Sequence, residues 1–190
     1  MSLTQIDKVA ALVVIDLQKG IVGLPSAHPG SEIVGRAARL ARAFREKGLP
    51  VILVNVAGRA PGRTEVQFNA ALPPDWAELV SELDRQPSDY AVTKLNVGAF
   101  YGTSLEMILR RHGATQIVLA GIATGSGVET TARAAYDRGF NVVTVVDAMT
   151  DRDADTHRHS VEKVFPRIGE TATTEEVLRL CGDAGRHART

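Results

Sequence analysis

An aspartate and a lysine stand at the ends of two apolar segments of this sequence. Asp16 closes "ALVVID" and Lys94 closes "YAVTK". A carboxylate at the end of a buried strand is costly without partners, and a lysine there can neutralise it, orient it or hold an anionic substrate. Separately, Asp16 is better explained as a helix cap or turn acceptor and Lys94 as a surface lysine. Together they form a candidate centre for proton transfer.

A glycine-rich turn is the third element of this constellation. Residues 121–135 read "GIATGSGVETTARAA", which predicts a strand that passes through a turn into a helix. We expect backbone N–H groups at 125–128 to face the ligand crevice and to hold an anion or oxyanion. The glycines would let the backbone approach a ligand closely. The alternative is a connection that needs glycine only for its dihedral angles.

A long loop supplies further candidates for the wall of a pocket. Residues 58–75 are rich in glycine and proline, and loops of this length at the carboxyl ends of strands are where open α/β sheets bind ligands. Arg59, Arg63 and Phe68 lie in it, and a guanidinium suits bidentate binding of a carboxylate. The alternative is a solvated surface loop.

Alternating strands and helices must position these residues. Short apolar runs alternate with amphipathic stretches along the chain, which predicts an α/β fold with a parallel sheet covered by helices on both faces. The predicted strands are 11–16, 50–58, 90–94, 115–122, 141–148 and 167–172, and the predicted helices are 32–48, 103–113, 127–139, 153–165 and 174–180.

Length and charge narrow the classes of protein. The 190 residues suit a single domain, 1–190, and 22 basic residues balance 22 acidic ones, which favours neither nucleic acid nor a membrane surface as partner. A net charge of zero gives little repulsion between copies, so self-association is expected. No signal peptide pattern and no membrane-spanning apolar run is present, which predicts a cytoplasmic protein.

The sequence has one cysteine, Cys181, so it cannot form an intrachain disulfide. Cys181 lies in a helical pattern near the C-terminus. We interpret it as a small buried hydrophobic residue rather than a reactive thiol.

Several segments together resemble the isochorismatase-like hydrolase superfamily. They are "LVVIDLQKGIV", "VTKLNVGAFYGTSLEMILRRHG", "IVLAGIATGSGVETTARAAYDRGFNVVTVVDAMTD" and "HRHS", and they cover nearly the whole chain in the family's order. The resemblance implies a three-layer α/β/α fold with a mainly parallel six-stranded, Rossmann-like sheet. It also implies a small-molecule substrate, no cofactor, and assembly as a homodimer or homotetramer.

The resemblance also assigns residues. Most members resemble cysteine hydrolases with an Asp–Lys–Cys triad that cleaves C–N bonds, and Asp16 and Lys94 fall on the first two positions. Gly127 falls on the cysteine. The family's non-proline cis peptide would join Ile122 to Ala123. Further residues that the resemblance places beside the substrate are Gln18, Phe100, Ile122, Ala123 and Ser126.

In having glycine at the nucleophile position, the sequence resembles the isochorismatases proper. In them the protonated aspartate acts as general acid on a vinyl ether, and water completes the cleavage without a covalent intermediate. Burial of Asp16 would raise its pKa as this role requires, whereas Lys94 would lower it. Lys94 is also a candidate partner for a substrate carboxylate. The sequence departs from that branch in reading "ATGSG" at the turn, and from the family in having Gly98 where serine is common.

The remaining candidates for chemistry are a serine and a few histidines. Ser126 neighbours Gly127, but its side chain would point elsewhere, and no histidine is close in sequence, although His157 or His159 could approach it. The loop "VNVAGRAPGRTE" lacks the histidines of the family's metal-binding branch, so we expect no metal site. His157 and His159 are two residues apart on a predicted helix and therefore face different ways, which favours surface positions or a subunit contact.

Three functions remain open from sequence. The first is a hydrolase without the cysteine, with Asp16 as general acid or base, Lys94 positioning the substrate and the 123–127 amides holding an anion. The second is a binding protein that has kept the pocket and lost the chemistry, and the third is a scaffold that uses only its oligomer surface. Retention of both Asp16 and Lys94 favours the first, and a C–N hydrolase with another nucleophile is a further alternative.

Overall fold

A computed structural model describes residues 3–65 and 72–184. Phe68, which we predicted to line a pocket, lies outside the described residues. The six strands are β1 (Ala10–Ile15), β2 (Val51–Val56), β3 (Tyr90–Lys94), β4 (Gln116–Ile122), β5 (Asn141–Thr150) and β6 (Glu170–Ala172). The helices are α1 (Lys19–Val22), α2 (Gly30–Glu46), α3 (Leu105–Arg111), α4 (Glu129–Asp137), α5 (Ala154–His159), α6 (Phe165–Ile168) and α7 (Thr174–Ala184).

The strands form one sheet in the order β3-β2-β1-β4-β5-β6, and every neighbouring pair is parallel. This is the doubly wound order, in which the chain direction across the sheet reverses between β1 and β4. The crevice at the carboxyl ends of these two strands is the usual ligand site of such a sheet. The predicted α/β/α fold is therefore confirmed.

Alternation along β1 produces the three layers. Leu12 and Val14 pack in one core with α2 and α7, whereas Val13 and Ile15 pack in the other with α3 and α4. All six residues of β1 are buried because both faces of the sheet are covered by helices. No helix within residues 3–65 and 72–184 is long and apolar enough to cross a membrane.

Most element boundaries differ from the predicted ones by a few residues, and three differences after β4 change the path of the chain. Strand β5 continues to Thr150, two residues beyond the predicted end. The helix predicted to end at 165 instead passes through a π-helical stretch, Ser160–Val164, into α6, which contains Pro166 in its first turn. Proline is tolerated there because the N–H groups of a first turn have no partner within the helix. The last strand is correspondingly shorter than 167–172.

Candidate active site

Asp16 and Lys94 meet at the carboxyl edge of the sheet. This was expected from the rule that residues at the carboxyl ends of parallel strands face the ligand crevice (the strand-end rule). Asp16 follows β1 in a left-handed conformation with a φ of 53°, and Lys94 is the last residue of β3. The Lys94 Nζ atom is 2.8 Å from Asp16 Oδ2, and the two side chains are 2% and 6% exposed. The pair is thus a buried ion pair at the bottom of the crevice.

The second carboxylate oxygen of Asp16 has no such partner. Oδ1 is buried, and no hydrogen bond to it comes from any residue that the structure describes. Burial raises the pKa of Asp16 to about 6, because desolvation outweighs the opposing effects of the Lys94 charge and hydrogen bond. Asp16 can therefore carry a proton near neutral pH, and its free oxygen can present that proton to a ligand.

The turn after β4 forms the other side of this centre. The peptide bond between Ile122 and Ala123 is cis, as the family resemblance implies. The chain then makes one π-helical turn, Thr124–Val128, before α4 begins. An ideal Cβ atom at Gly127 would lie 3.4 Å from Asp16 Oδ2 and 3.0 Å from Ile15 Cγ2. A side chain at position 127 would therefore contact the Asp16 carboxylate directly.

Most of the turn amides that we expected to hold an anion already have partners within the protein. The Gly125 N–H donates to Asp151 Oδ2 at 2.8 Å, and the N–H groups of Ser126 and Val128 both donate to the Ala123 carbonyl at 3.2 Å. The predicted anion site at 125–128 is thus wrong for these three amides. The physical reason is that the π-helical turn and a neighbouring carboxylate satisfy them internally.

A cavity of about 400 Å³ opens above this centre, within the ~300–1,000 Å³ range of ligand pockets. Of the predicted site residues, seven line it: Asp16, Arg59, Lys94, Ile122, Ala123, Ser126 and Gly127. Several lining residues were missed: Ile21, Leu24, Pro25, Ser26, Val56, Gly58, Asn96, Val97, Asp151 and Arg152. Asp151 and Arg152 follow β5 directly, so the strand-end rule that found Asp16 could have found them.

Three predicted substrate contacts do not reach the cavity. Gln18 is fully buried, because its amide nitrogen donates to the carbonyls of Val56 and Trp76 and its oxygen accepts from the Val56 N–H. Phe100 is buried beside Phe140, with its ring 6.2 Å away from that ring. Arg63 is exposed outside the cavity. The first two are structural residues, since they satisfy backbone groups or fill the core.

His157 lies against the turn, contrary to the surface position that we predicted. Its Nδ1 atom is 2.8 Å from the Thr124 hydroxyl, and its ring packs edge-on against His28 with centroids 4.9 Å apart. Burial, followed by the His28 charge, lowers the pKa of His157, while the Asp151 charge opposes this. His159 is exposed, as predicted. Among the described residues no cluster of three or more metal-binding side chains is present.

Cys181 is remote from the cavity. It is buried on α7, in the core layer next to α2, and desolvation raises the pKa of its thiol to about 11. A thiol in this state is inert as a nucleophile. The interpretation as a buried hydrophobic residue is confirmed.

Comparisons with known proteins agree with this fold. The isochorismatase domain family matches residues 10–176. The uncharacterized isochorismatase family protein YwoC of Bacillus subtilis is 42% identical over 176 residues, which cover 88% of this chain and 92% of that protein. A solved isochorismatase family protein from Burkholderia thailandensis is 41% identical with a TM-score of 0.91, and the match covers 95% of this chain and 100% of that one.

A more distant solved structure has a named activity. N-carbamoylsarcosine amidase from Thermoplasma acidophilum is 28% identical with a TM-score of 0.71, and the match covers 88% of this chain and 97% of that one. The fold that surrounds the cavity is therefore shared with an amidase as well as with isochorismatase family proteins.

Proposed function

The chain belongs to the isochorismatase family, and we propose that it is a hydrolase that cleaves a small anionic metabolite without a covalent intermediate. The vinyl ether isochorismate is the leading candidate substrate. Asp16 is the general acid and base, and Lys94 holds Asp16 in place and positions the substrate.

The observation that carries this proposal is the state of Asp16. Asp16 is buried at the floor of the cavity, its pKa is raised to about 6, and its Oδ1 atom is free of hydrogen bonds from the described residues. A general acid must be protonated near the working pH and must be able to reach its substrate. Burial raises the pKa of Asp16 and so favours the protonated carboxyl group, and the free Oδ1 atom can donate that proton to a substrate in the cavity.

The absence of a thiol beside Asp16 favours a non-covalent reaction. Gly127 adjoins the Asp16 carboxylate at the position where the family resemblance would place a cysteine, and Cys181 is buried on α7. Ser126 lines the cavity, but its hydroxyl makes no hydrogen bond with any residue in the described part of the chain. His157 is hydrogen-bonded to Thr124, and among the described residues no histidine is paired with Ser126 as in an activated serine.

The reaction follows from proton transfer at Asp16. The protonated carboxyl gives its proton to the terminal CH₂ of the vinyl ether, and the electron pair of the double bond forms the new C–H bond. Water then adds to the oxygen-stabilised carbocation and loses a proton to the Asp16 carboxylate. The hydroxyl oxygen of the resulting hemiketal forms the carbonyl C=O bond as the ether C–O bond breaks, and the hydroxyl proton passes to the leaving oxygen, which releases pyruvate and a dihydroxy acid. Asp16 thus acts first as acid and then as base.

Lys94 contributes through its three N–H donors. One donates to Asp16 Oδ2 at 2.8 Å and another to the Asn96 carbonyl at 3.2 Å, which fixes the ammonium beside the carboxyl. A lysine ammonium has a third donor, which we assign to a carboxylate of the substrate. With this assignment the Lys94 ammonium contacts the substrate and Asp16 at the same time.

The test is pyruvate release from isochorismate, followed through NADH oxidation with lactate dehydrogenase. The wild-type protein should release pyruvate, and Asp16→Asn should be slower by about 10²–10⁴-fold, the usual contribution of a general acid or base. Ligand binding by Asp16→Asn should persist, because asparagine has nearly the same shape. Equal rates for the two proteins would contradict the role of Asp16. No release by the wild type would exclude isochorismate and favour the binding protein or another substrate.

A further inference from the structure

The turn after β4 is packed on its outer side by α5. A Cβ atom on Gly125 would lie 2.5 Å from Thr156 Cγ2, so α5 leaves no room for a side chain at that position. Just beyond α5, the Ser160 hydroxyl donates to Glu129 Oε2 at 2.7 Å, and Glu129 begins α4. The turn thus lies between the reacting centre and α5.

The side chain of Thr124, the first residue of this turn, depends on α5 for its hydrogen bond. Thr124 is fully buried, and His157 Nδ1, at 2.8 Å, is the only partner of its hydroxyl among the described residues. A buried hydroxyl that loses its partner costs stability, so the contact with His157 fixes the orientation of Thr124. The neighbouring residues Ala123, Ser126 and Gly127 all line the cavity.

His157 itself lies outside the cavity but contacts two of its walls. It is half-buried and is not a lining residue. Its ring packs edge-on against His28, with centroids 4.9 Å apart. His28 belongs to the loop between α1 and α2, in which Leu24, Pro25 and Ser26 line the cavity. His157 therefore joins this loop to the turn.

The charged groups that face His157 come from two other segments, His28 from the loop and Asp151 from the end of β5. Burial, followed by the His28 charge, lowers the pKa of His157, and the Asp151 charge opposes this. His157 is therefore uncharged at pH 7.5. A neutral imidazole can accept a hydrogen bond from a hydroxyl or donate one to it. Asparagine also carries a polar atom on its γ carbon, so it can replace His157 in this contact without a change of charge.

We propose that His157 is a positioning residue, whose hydrogen bond to Thr124 holds the turn after β4 in the conformation that places Ser126 and Gly127 beside Asp16 and the substrate. The effect of His157 on turnover rests on the proposed function, whereas its effect on the turn does not. Misplacement of a reacting group by about 1 Å can reduce a rate by ~100-fold, so a contact outside the cavity can control the reaction inside it.

The first measurement is hydrogen exchange of the full chain at pH 7.5, followed by mass spectrometry of peptides that cover 122–128. The amides of Ser126 and Val128 report on the turn, since both donate to the Ala123 carbonyl. His157→Leu should speed this exchange by about tenfold or more. The reason is that a lost hydrogen bond and an unpaired buried hydroxyl together make local opening easier by at least this factor.

Three further variants make the assignment specific. His157→Asn should keep the exchange of 122–128 within about threefold of the wild type, because a polar atom again faces Thr124. His159→Leu is the matched control and should change nothing, since His159 is an exposed histidine of the same helix. Thr124→Val removes the hydroxyl at nearly constant shape and should also speed the exchange. His157→Leu added to Thr124→Val should then have little further effect, within about twofold.

Turnover is the second measurement, by pyruvate release from isochorismate with variants that thermal unfolding shows to be folded. His157→Leu should lower kcat by about tenfold or more, and His157→Asn should restore it to within about threefold of the wild type. A histidine with a merely structural role would give folded variants with the wild-type kcat.

Three results would overturn the inference: unchanged exchange of 122–128 in His157→Leu, exchange that His157→Asn raises as much as His157→Leu does, or a folded His157→Leu variant with the wild-type kcat. If His157→Leu does not fold, Thr124→Val decides in its place. If the wild type releases no pyruvate, the proposed reaction is refuted, and the exchange rates alone decide whether His157 holds the turn.

Discussion

The raised pKa of Asp16 should be measurable as a dependence of stability on pH. In the folded protein the pKa is about 6, whereas an aspartate in an unfolded chain has a pKa near 3.9. Between these values the folded state binds a proton that the unfolded state has lost. Stability contributed by Asp16 is therefore fully present below pH ~4 and is lost as the pH rises through about 6.

The size of the effect follows from the shift. Two pKa units at about 1.4 kcal/mol each give about 3 kcal/mol in total, of which roughly 2 kcal/mol falls between pH 4 and pH 7. Desolvation of the buried carboxyl group is the cause, and the Lys94 ammonium at 2.8 Å offsets part of it. Asp16→Asn removes the titration and keeps the shape of the side chain.

The assay is urea unfolding of the wild type and Asp16→Asn at pH 4, 5, 6 and 7. Every other titrating carboxylate is present in both proteins, so the difference in unfolding free energy isolates Asp16. We expect the wild type to lose about 2 kcal/mol relative to the variant across this range. A difference that stays constant, or one that changes in favour of the wild type, would show that the pKa of Asp16 is not raised, and the general-acid argument would fail with it.

Two further predictions concern glycines near Asp16. Gly127→Cys should fold, because the tightest contact of the added Cβ is the Ile15 methyl at 3.0 Å, and its other contacts are at ordinary van der Waals distance. Its thiol should react with one equivalent of iodoacetamide while the wild type, with only buried Cys181, does not; equal labelling of the two proteins would contradict the placement of Gly127. Gly121→Ala should abolish folding or cost more than ~4 kcal/mol, because Gly121 has a φ of 124° and a Cβ there would lie 2.0 Å from the Ile15 carbonyl oxygen. Gly35→Ala, in open space on α2, is the control in urea unfolding, and an equally stable Gly121→Ala would refute the close approach of β4 to β1.

The parallel sheet could be anticipated because continuous apolar runs indicate strands that are buried on both faces, whereas we made no prediction of the strand order. The runs that became β1, β2 and β4 are buried on both faces, and only a covered parallel sheet allows that. The path after β5 was less predictable. A π-helical stretch precedes Pro166, so the proline starts a new helix where the sequence pattern indicated that the helix had ended.

A different boundary error explains two of the missed lining residues. The strand-end rule located Asp16 and Lys94 because both residues follow their apolar runs immediately. It did not locate Asp151 and Arg152, because we placed the end of the fifth strand at residue 148, whereas β5 runs to Thr150. Gln18 was misassigned for another reason. Its amide satisfies Val56 and Trp76, and no local pattern reveals a backbone partner 58 residues away.

The pairing of Asp16 with Lys94 then has a functional interpretation. Burial without the ammonium would raise the pKa of Asp16 further, and the carboxyl group would then be a weaker acid that gives up its proton less readily. A fully solvated aspartate would remain ionised at neutral pH and could not act as an acid. Desolvation and the Lys94 contact oppose each other and place the pKa near 6, where both protonation states are accessible. A hydrolysis in which one carboxyl group gives a proton to carbon and later accepts one from water requires this balance.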